Sequence, residues 1–93
     1  EVSNVNAPPI AGELKAYPNP VEDFLTVDLD LEVQTSEVTF HITDNTGKQL
    51  YEVTRKNYQT GNTSFHVGAL PAGTYYVTVR DGKGISTIPF SKI

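Results

Sequence analysis

The chain has 93 residues and a mass of 10.2 kDa, the size of one domain. It carries 7 basic and 11 acidic residues, a formal charge of −4, and no cysteine. That balance argues against nucleic acid as a partner, and the absence of cysteine excludes disulfides, thiolate metal sites and cysteine nucleophiles.

Residues 1–12, with Pro8, Pro9 and a closing Gly12, show no hydrophobic period and read as an extended linker with few contacts. From there on the dominant period is two, the signature of strands. A short strand around Leu14–Tyr17 precedes a Pro18-Asn19-Pro20 corner. Phe24–Leu31 alternates cleanly, with Leu25, Val27, Leu29 and Leu31 on one face and Thr26, Asp28 and Asp30 on the other. Glu37–Asp44 repeats the pattern with Val38, Phe40 and Ile42 inward. Asp44-Asn45-Thr46-Gly47 suits a type I turn closed by a left-handed glycine.

Gln49–Thr54 is the return strand, Arg55–Asn62 a polar loop, and Thr63–Val67 another short strand. Leu70-Pro71-Ala72-Gly73 forms a turn in which Pro71 presets the first central backbone angle. Thr74–Arg80 follows, with Tyr75, Val77 and Val79 on one face. Asp81-Gly82 is a strong hairpin signal. In the last strand, Ile85–Lys92, Pro89 cannot donate to a ladder, which places the strand at an edge or at a bulge.

About seven short strands with no helical stretch predict an all-β fold, a seven-stranded immunoglobulin-like antiparallel β-sandwich with Greek-key wiring. The spacing of Leu70, Gly73 and Tyr75 is that of a tyrosine corner. No apolar run approaches the ~18 residues of a membrane-spanning helix. The sequence starts at Glu1 with no signal-peptide pattern, so it is read as a piece of a longer protein. Charge is uneven. Residues 1–46 hold one cation, Lys15, against nine acids, whereas residues 47–93 hold six cations against Glu52 and Asp81. This fits either a dipolar interaction surface or oppositely charged strands lying side by side.

Chemistry is sparse. His41 and His66 lie on outward strand faces; as metal ligands they would want a third partner, which Asp28 or Asp30 on a neighbouring strand could supply, but two outward histidines are usually just solvated. Asp28, Asp30 and Glu32 share an outward face without the spacing of a calcium loop, and like charge there discourages edge-to-edge association. Gly82-Lys83-Gly84 is accounted for by a hairpin turn, and no nucleophile elbow or phosphate loop is present. No catalytic residue, metal or cofactor is assigned, and the domain is read as non-enzymatic. Tyr58 and Tyr76 are candidates for an exposed sugar-stacking platform, which would make the domain an accessory carbohydrate-binding or adhesion sandwich of a secreted enzyme. Asn62-Thr63-Ser64 matches an N-glycosylation acceptor pattern.

Several segments together carry a resemblance. Ala16-Tyr17-Pro18-Asn19-Pro20 is followed by Phe24-Leu25-Thr26-Val27, then by Ile42–Asp44 leading into Gly47-Lys48. Leu70-Pro71-Ala72-Gly73-Thr74-Tyr75-Tyr76-Val77 follows, and Phe90-Ser91-Lys92 comes last. In order and spacing these resemble the type A C-terminal sorting domains of the type IX (Por) secretion system of Bacteroidetes, over about residues 14–93. Where the family often ends in a basic residue, this chain has Ile93 after Lys92.

The resemblance implies a C-terminal secretion signal (residues 13–93) that directs its cargo through the outer membrane. The implied partners are the type IX machinery and a sortase-like peptidase that removes the domain at the cell surface. It also implies a processing region within linker residues 1–12, and passage through the periplasm to the cell surface or medium. Its motif residues are Tyr17, Pro18, Asn19, Pro20, Gly47, Lys48, Leu70, Pro71, Ala72, Gly73, Tyr75, Ile88, Phe90, Lys92 and Ile93. The last strand is expected to offer free backbone groups to a receptor, and its edge leaves homodimerisation open.

Overall fold

The computed structural model describes residues 8–93 and is all-β. It contains five strands: β1 (Gly12–Tyr17), β2 (Phe24–Asp44), β3 (Gln49–His66), β4 (Gly73–Arg80) and β5 (Ile85–Lys92). The expectation of seven strands is corrected to five because two pairs of predicted strands run on into one another. Phe24–Leu31 and Glu37–Asp44 are the two arms of β2, and the supposed loop Arg55–Asn62 is strand within β3.

The joins are bends. Between Asp30 and Thr35, β2 advances five residues while β3 moves only from Thr60 to Tyr58. The surplus bulges out and reverses the facing parity. Leu25, Val27, Leu29 and Leu31 are buried on the first arm, but Val38, Phe40 and Ile42 on the second. β3 bends with it at Asn57, whose φ is +52°. Asn is among the few side chains that tolerate that region.

Among the described residues the pairings between named strands are antiparallel: β1 with β2, β2 with β3, β2 with β4, and β4 with β5. The first arm of β2 lies between β1 and the end of β3, and the second between β4 and the start of β3. Both arms turn their apolar faces to one core, in which Leu25, Val27 and Leu29 share a cluster with Phe40, Ile42, Val77, Val79 and Phe90. Each fully buried side chain of this kind contributes ~1.5–3 kcal/mol of transfer free energy, and with no cysteine the fold rests on that packing.

Because β2 doubles back, both of its ends lie at the same end of the molecule. Phe24 follows Val21, which bridges to Lys92 at the end of β5. Asp44 pairs with Tyr75 at the start of β4, and Tyr75 in turn pairs with Phe90. The β2 and β3 bends and the Asp81–Gly84 turn occupy the opposite end.

Residues 8–12, read as the end of a linker with few contacts, are docked in the structure. Ile10 is 6% exposed, and Pro8, Ile10 and Ala11 all hydrogen-bond to the rest of the domain. The cause is the apolar Ile10 side chain, which has a core to join. Residues 1–7 of the expected linker lie outside the described residues.

Candidate functional site

The motif segments, scattered through the sequence, converge on the end where β2 starts and finishes. The corner Tyr17–Pro20 contains two cis peptide bonds, Tyr17-Pro18 and Asn19-Pro20. It leads into Val21, which is fully buried and acts as a backbone clamp on the end of β5. The Val21 N–H donates to Ser91 O at 2.9 Å, and the Ile93 N–H donates to Val21 O at 3.0 Å. The side chain of Asn19 joins the clamp, its Oδ1 accepting the Ser91 N–H at 2.9 Å.

The Gly68–Gly73 turn is tied to the same place. The Val67 N–H donates to Asp23 O at 2.7 Å, and the Leu70 N–H donates to Val67 O at 3.0 Å. The Tyr75 hydroxyl donates back to Pro71 O at 2.6 Å, forming the tyrosine corner that the spacing predicts. The Tyr75 ring stacks on Phe90 at 5.7 Å, and Gly73 pairs with Lys92.

The Asn45–Lys48 turn completes the set. Asp44 Oδ1 accepts from the Thr46 N–H (2.9 Å), the Thr46 hydroxyl (2.6 Å) and the Lys48 N–H (3.0 Å). Gly47, at φ +90°, closes the turn in the left-handed region. The Thr46 hydroxyl bond, then the Lys48 N–H, hold the Asp44 carboxyl below the ordinary aspartate range.

The motif residues divide by exposure. Tyr17, Pro18, Asn19, Pro20, Gly47, Lys48, Pro71, Ala72, Gly73 and Ile93 are exposed. Tyr75, Phe90 and Lys92 are buried, and Leu70 and Ile88 are half-buried. The Lys92 side chain runs inward beside Phe90 in the alternation of β5, with its ammonium reaching Ile93 O at 2.6 Å. A partner arriving from solvent therefore meets the three turns, while the aromatic pair and Lys92 form the frame beneath.

Three side-chain interactions escaped sequence reasoning. Phe24 is 60% exposed and stacks on His66 at 4.7 Å, directly across the β2–β3 pair. An aromatic at a strand start with outward parity was the available signal. Tyr51 donates its hydroxyl to His66 O at 2.9 Å, and Arg55 donates to Asn62 O at 3.2 Å. Both cap the outer edge of β3 with side chains from its own first half.

The last strand is an edge, and Pro89 sits in regular register opposite Tyr76. Its outer backbone groups are occupied at both ends, so the edge is not free along its whole length as expected. The Ile85 N–H donates to Pro8 O at 2.8 Å, and Asn19 and Val21 close the far end. Among the described residues, the Ile85 carbonyl, both backbone groups of Thr87 and the Pro89 carbonyl have no partner on that side.

The sugar platform loses Tyr58. It lies in the core rather than in a loop, 7% exposed, with its hydroxyl on Leu29 O at 3.0 Å and its ring edge-on to Phe40. Burial pushes its phenol above the usual tyrosine range. Tyr76 is half-buried. The acids of the first arm are mixed with a cation: Asp28, Asp30, Glu13 and Lys15 line one shallow polar depression. On the second arm, Glu37 faces Lys56 at 3.9 Å and His41 faces Glu52 at 3.5 Å. Among the described residues, no group of three or more His, Asp or Glu is placed to hold a metal ion. Among the described residues, no helix is long and apolar enough to cross a membrane.

A family model described as a secretion system C-terminal sorting domain matches residues 15–91, the span that contains all three motif turns. The chain belongs to that family. The sorting domain is also similar to the crystal structure of a DUF3244 family protein from Bacteroides vulgatus with an immunoglobulin-like β-sandwich fold. The TM-score is 0.64 at 22% identity, covering 91% of this chain and 100% of the other. That likeness establishes the immunoglobulin-like fold. No curated protein matches the sequence.

Proposed function

We propose that the end bearing Tyr17–Pro20, Asn45–Lys48 and Leu70–Gly73 is the face by which the type IX machinery recognises this sorting domain. One observation carries the reading. Three sequence-distant turns, whose residues make up the family resemblance, gather at one end: Asn19 and Val21 bond Ser91 of β5, Tyr75 holds Pro71 and stacks on Phe90 of β5, and Asp44, which holds the third turn, pairs with Tyr75. The role is that of a non-catalytic address. Pro8 lies at the opposite end, so machinery and a cargo joined ahead of it approach the domain from different sides. In this reading the domain passes through the periplasm, is carried across the outer membrane, and is cut from its cargo at the surface by a sortase-like peptidase. The cut falls ahead of Pro8, since a protease needs extended, unengaged backbone and Pro8–Ala11 is engaged.

The test is a secreted reporter carrying residues 1–93 behind an inner-membrane signal, expressed in a type IX-competent host. Reporter on the surface or in the medium supports the reading, whereas folded, intact reporter held in the periplasm overturns it. Deleting the last strand cannot separate recognition from folding, because it removes Phe90 from the core. The discriminating variants are Lys48→Glu and Tyr17→Ser, both at exposed positions. Export should fall several-fold while the purified domain keeps its melting temperature. Export unchanged in the double variant removes this face from the signal.

A further inference from the structure

Pro8–Ala11 does not belong to any strand, yet five features fix it along the end opposite the motif turns. The Ile85 N–H donates to Pro8 O at 2.8 Å, the Ile10 N–H to Ser86 Oγ at 3.1 Å, and the Glu32 N–H to Ala11 O at 2.9 Å. The Ile10 side chain is 6% exposed. Gly84 has no space for a side chain, since a Cβ there would stand 2.7 Å from Pro9 O and 2.8 Å from Pro8 O. The segment thus lies like an extra strand against the start of β5, bridging it to the β2 bend. With Pro8, Pro9 and Ala11 as part of its lining, an open groove of mainly apolar character runs beside it, bounded also by Leu31, Val33 and Thr35 and by Asp81, Lys83 and Gly84.

We propose that the seat of Pro8–Ala11, between the β2 bend and the start of β5, is a docking site for an extended, uncharged peptide segment with one aliphatic anchor, and that Pro8–Ala11 is a detachable strap occupying it in cis. The recognition elements are independent of chain connectivity. They comprise a donor at Ile85, a hydroxyl acceptor at Ser86, a donor at Glu32, a pocket for one aliphatic side chain, and a glycine that admits close backbone approach. This is strand addition to a sheet edge, in which main-chain bonds give affinity and one side-chain pocket gives selectivity. When the strap leaves, the N–H groups of Ile85 and Thr87 and the carbonyl of Pro89 lie on one uncovered edge. A competing segment gains that edge only by displacing the strap, whose tether gives it a local concentration on the order of millimolar.

Amide hydrogen exchange on the full 93-residue chain tests the proposal. Ile85 and Glu32 report the two ends of the strap. In the wild-type chain they should exchange together, at least about tenfold faster than Val77 and Thr78 in the middle of β4. Exchange of Ile85 and Glu32 at the β4 rate, or at rates unrelated to each other, overturns a strap that opens alone. The substitution Ile10→Asp should expel the strap while leaving the Ile85, Ser86 and Glu32 groups of its seat in place, with Ile10→Ala as the milder replacement where Ile10→Asp does not fold. To the expelled variant, a peptide of sequence VNAPPIAG is added at millimolar concentration. Recovery of protection at Ile85 and Glu32 by about fivefold or more, absent with a peptide carrying Asp at the isoleucine position, supports the site. Equal effects of the two peptides, or none, overturn it. These readings are made on the isolated domain, so failure here leaves the secretion proposal standing.

Discussion

Asn19 Oδ1 accepts the backbone N–H of Ser91 at 2.9 Å across 72 residues of sequence. This one bond joins the first motif turn to the last strand, and it is exposed on a corner whose backbone is otherwise held by Val21. The Ser91 N–H points away from β4, so Asn19 is the side chain that keeps it paired.

Asn19→Ala should therefore destabilise the domain by ~1 kcal/mol, since a hydrogen bond is lost without burying anything new. Asn19→Asp keeps an acceptor in place and should stay within about 0.5 kcal/mol of the parent. Urea unfolding of the two variants separates these outcomes, and equal loss in both would show that the amide acts by something other than accepting from Ser91.

Tyr75→Phe keeps the stacked pair with Phe90 and deletes only the hydroxyl that reaches Pro71. The expected loss is ~1 kcal/mol, equivalent to a melting temperature about 4–8 °C lower for a domain of this size. Tyr75→Ala also removes the buried ring and should cost about 3–5 kcal/mol, enough to threaten folding. Calorimetry on both measures the hydroxyl and the ring separately.

Thr63 Oγ1 is buried without a hydrogen-bond partner, facing inward opposite Val27. Thr63→Val replaces the hydroxyl with a methyl of similar shape and removes a desolvated polar group. Stability should rise by roughly 1 kcal/mol. A fall in the urea midpoint at unchanged slope would contradict this.

The lowered Asp44 carboxyl makes a signed pH prediction. Its folded pKa lies below the unfolded value of 3.8, so its contribution is complete above about that pH and disappears as the pH falls through the folded pKa. Asp44→Asn cannot titrate there. Melting temperatures of parent and variant should differ most near neutrality and converge on acidification. A constant difference from pH 7 to pH 2 would place the effect of the residue outside its charge.

Much of this fold is legible from alternation. The buried faces of β2 and β4 follow the pattern of Leu25, Val27, Leu29 and Leu31, of Val38, Phe40 and Ile42, and of Tyr75, Val77 and Val79. The turns at Asp44–Gly47 and Asp81–Gly82 were readable for the same local reason, that aspartate and glycine stabilise those backbone shapes themselves. What misled was the polar stretch Arg55–Asn62. It has little hydrophobic period because it is a bend in a long strand, with Tyr58 turned into the core and its neighbours outward. Pro8–Ala11 misled similarly, because two prolines and a glycine suggest a tether wherever no partner surface is visible.

Length, composition and charge made this a small acidic domain without disulfides, and local chemistry made it a set of short strands joined by specific turns. Those properties belong to the sequence because period and turn preference act over a few residues. The fusion of seven runs into five strands, the gathering of three distant turns at one end, and the closing of β5 by Pro8 and Val21 belong to the tertiary structure. They depend on contacts between residues far apart in the chain, and no local preference encodes which distant carbonyl will meet which N–H.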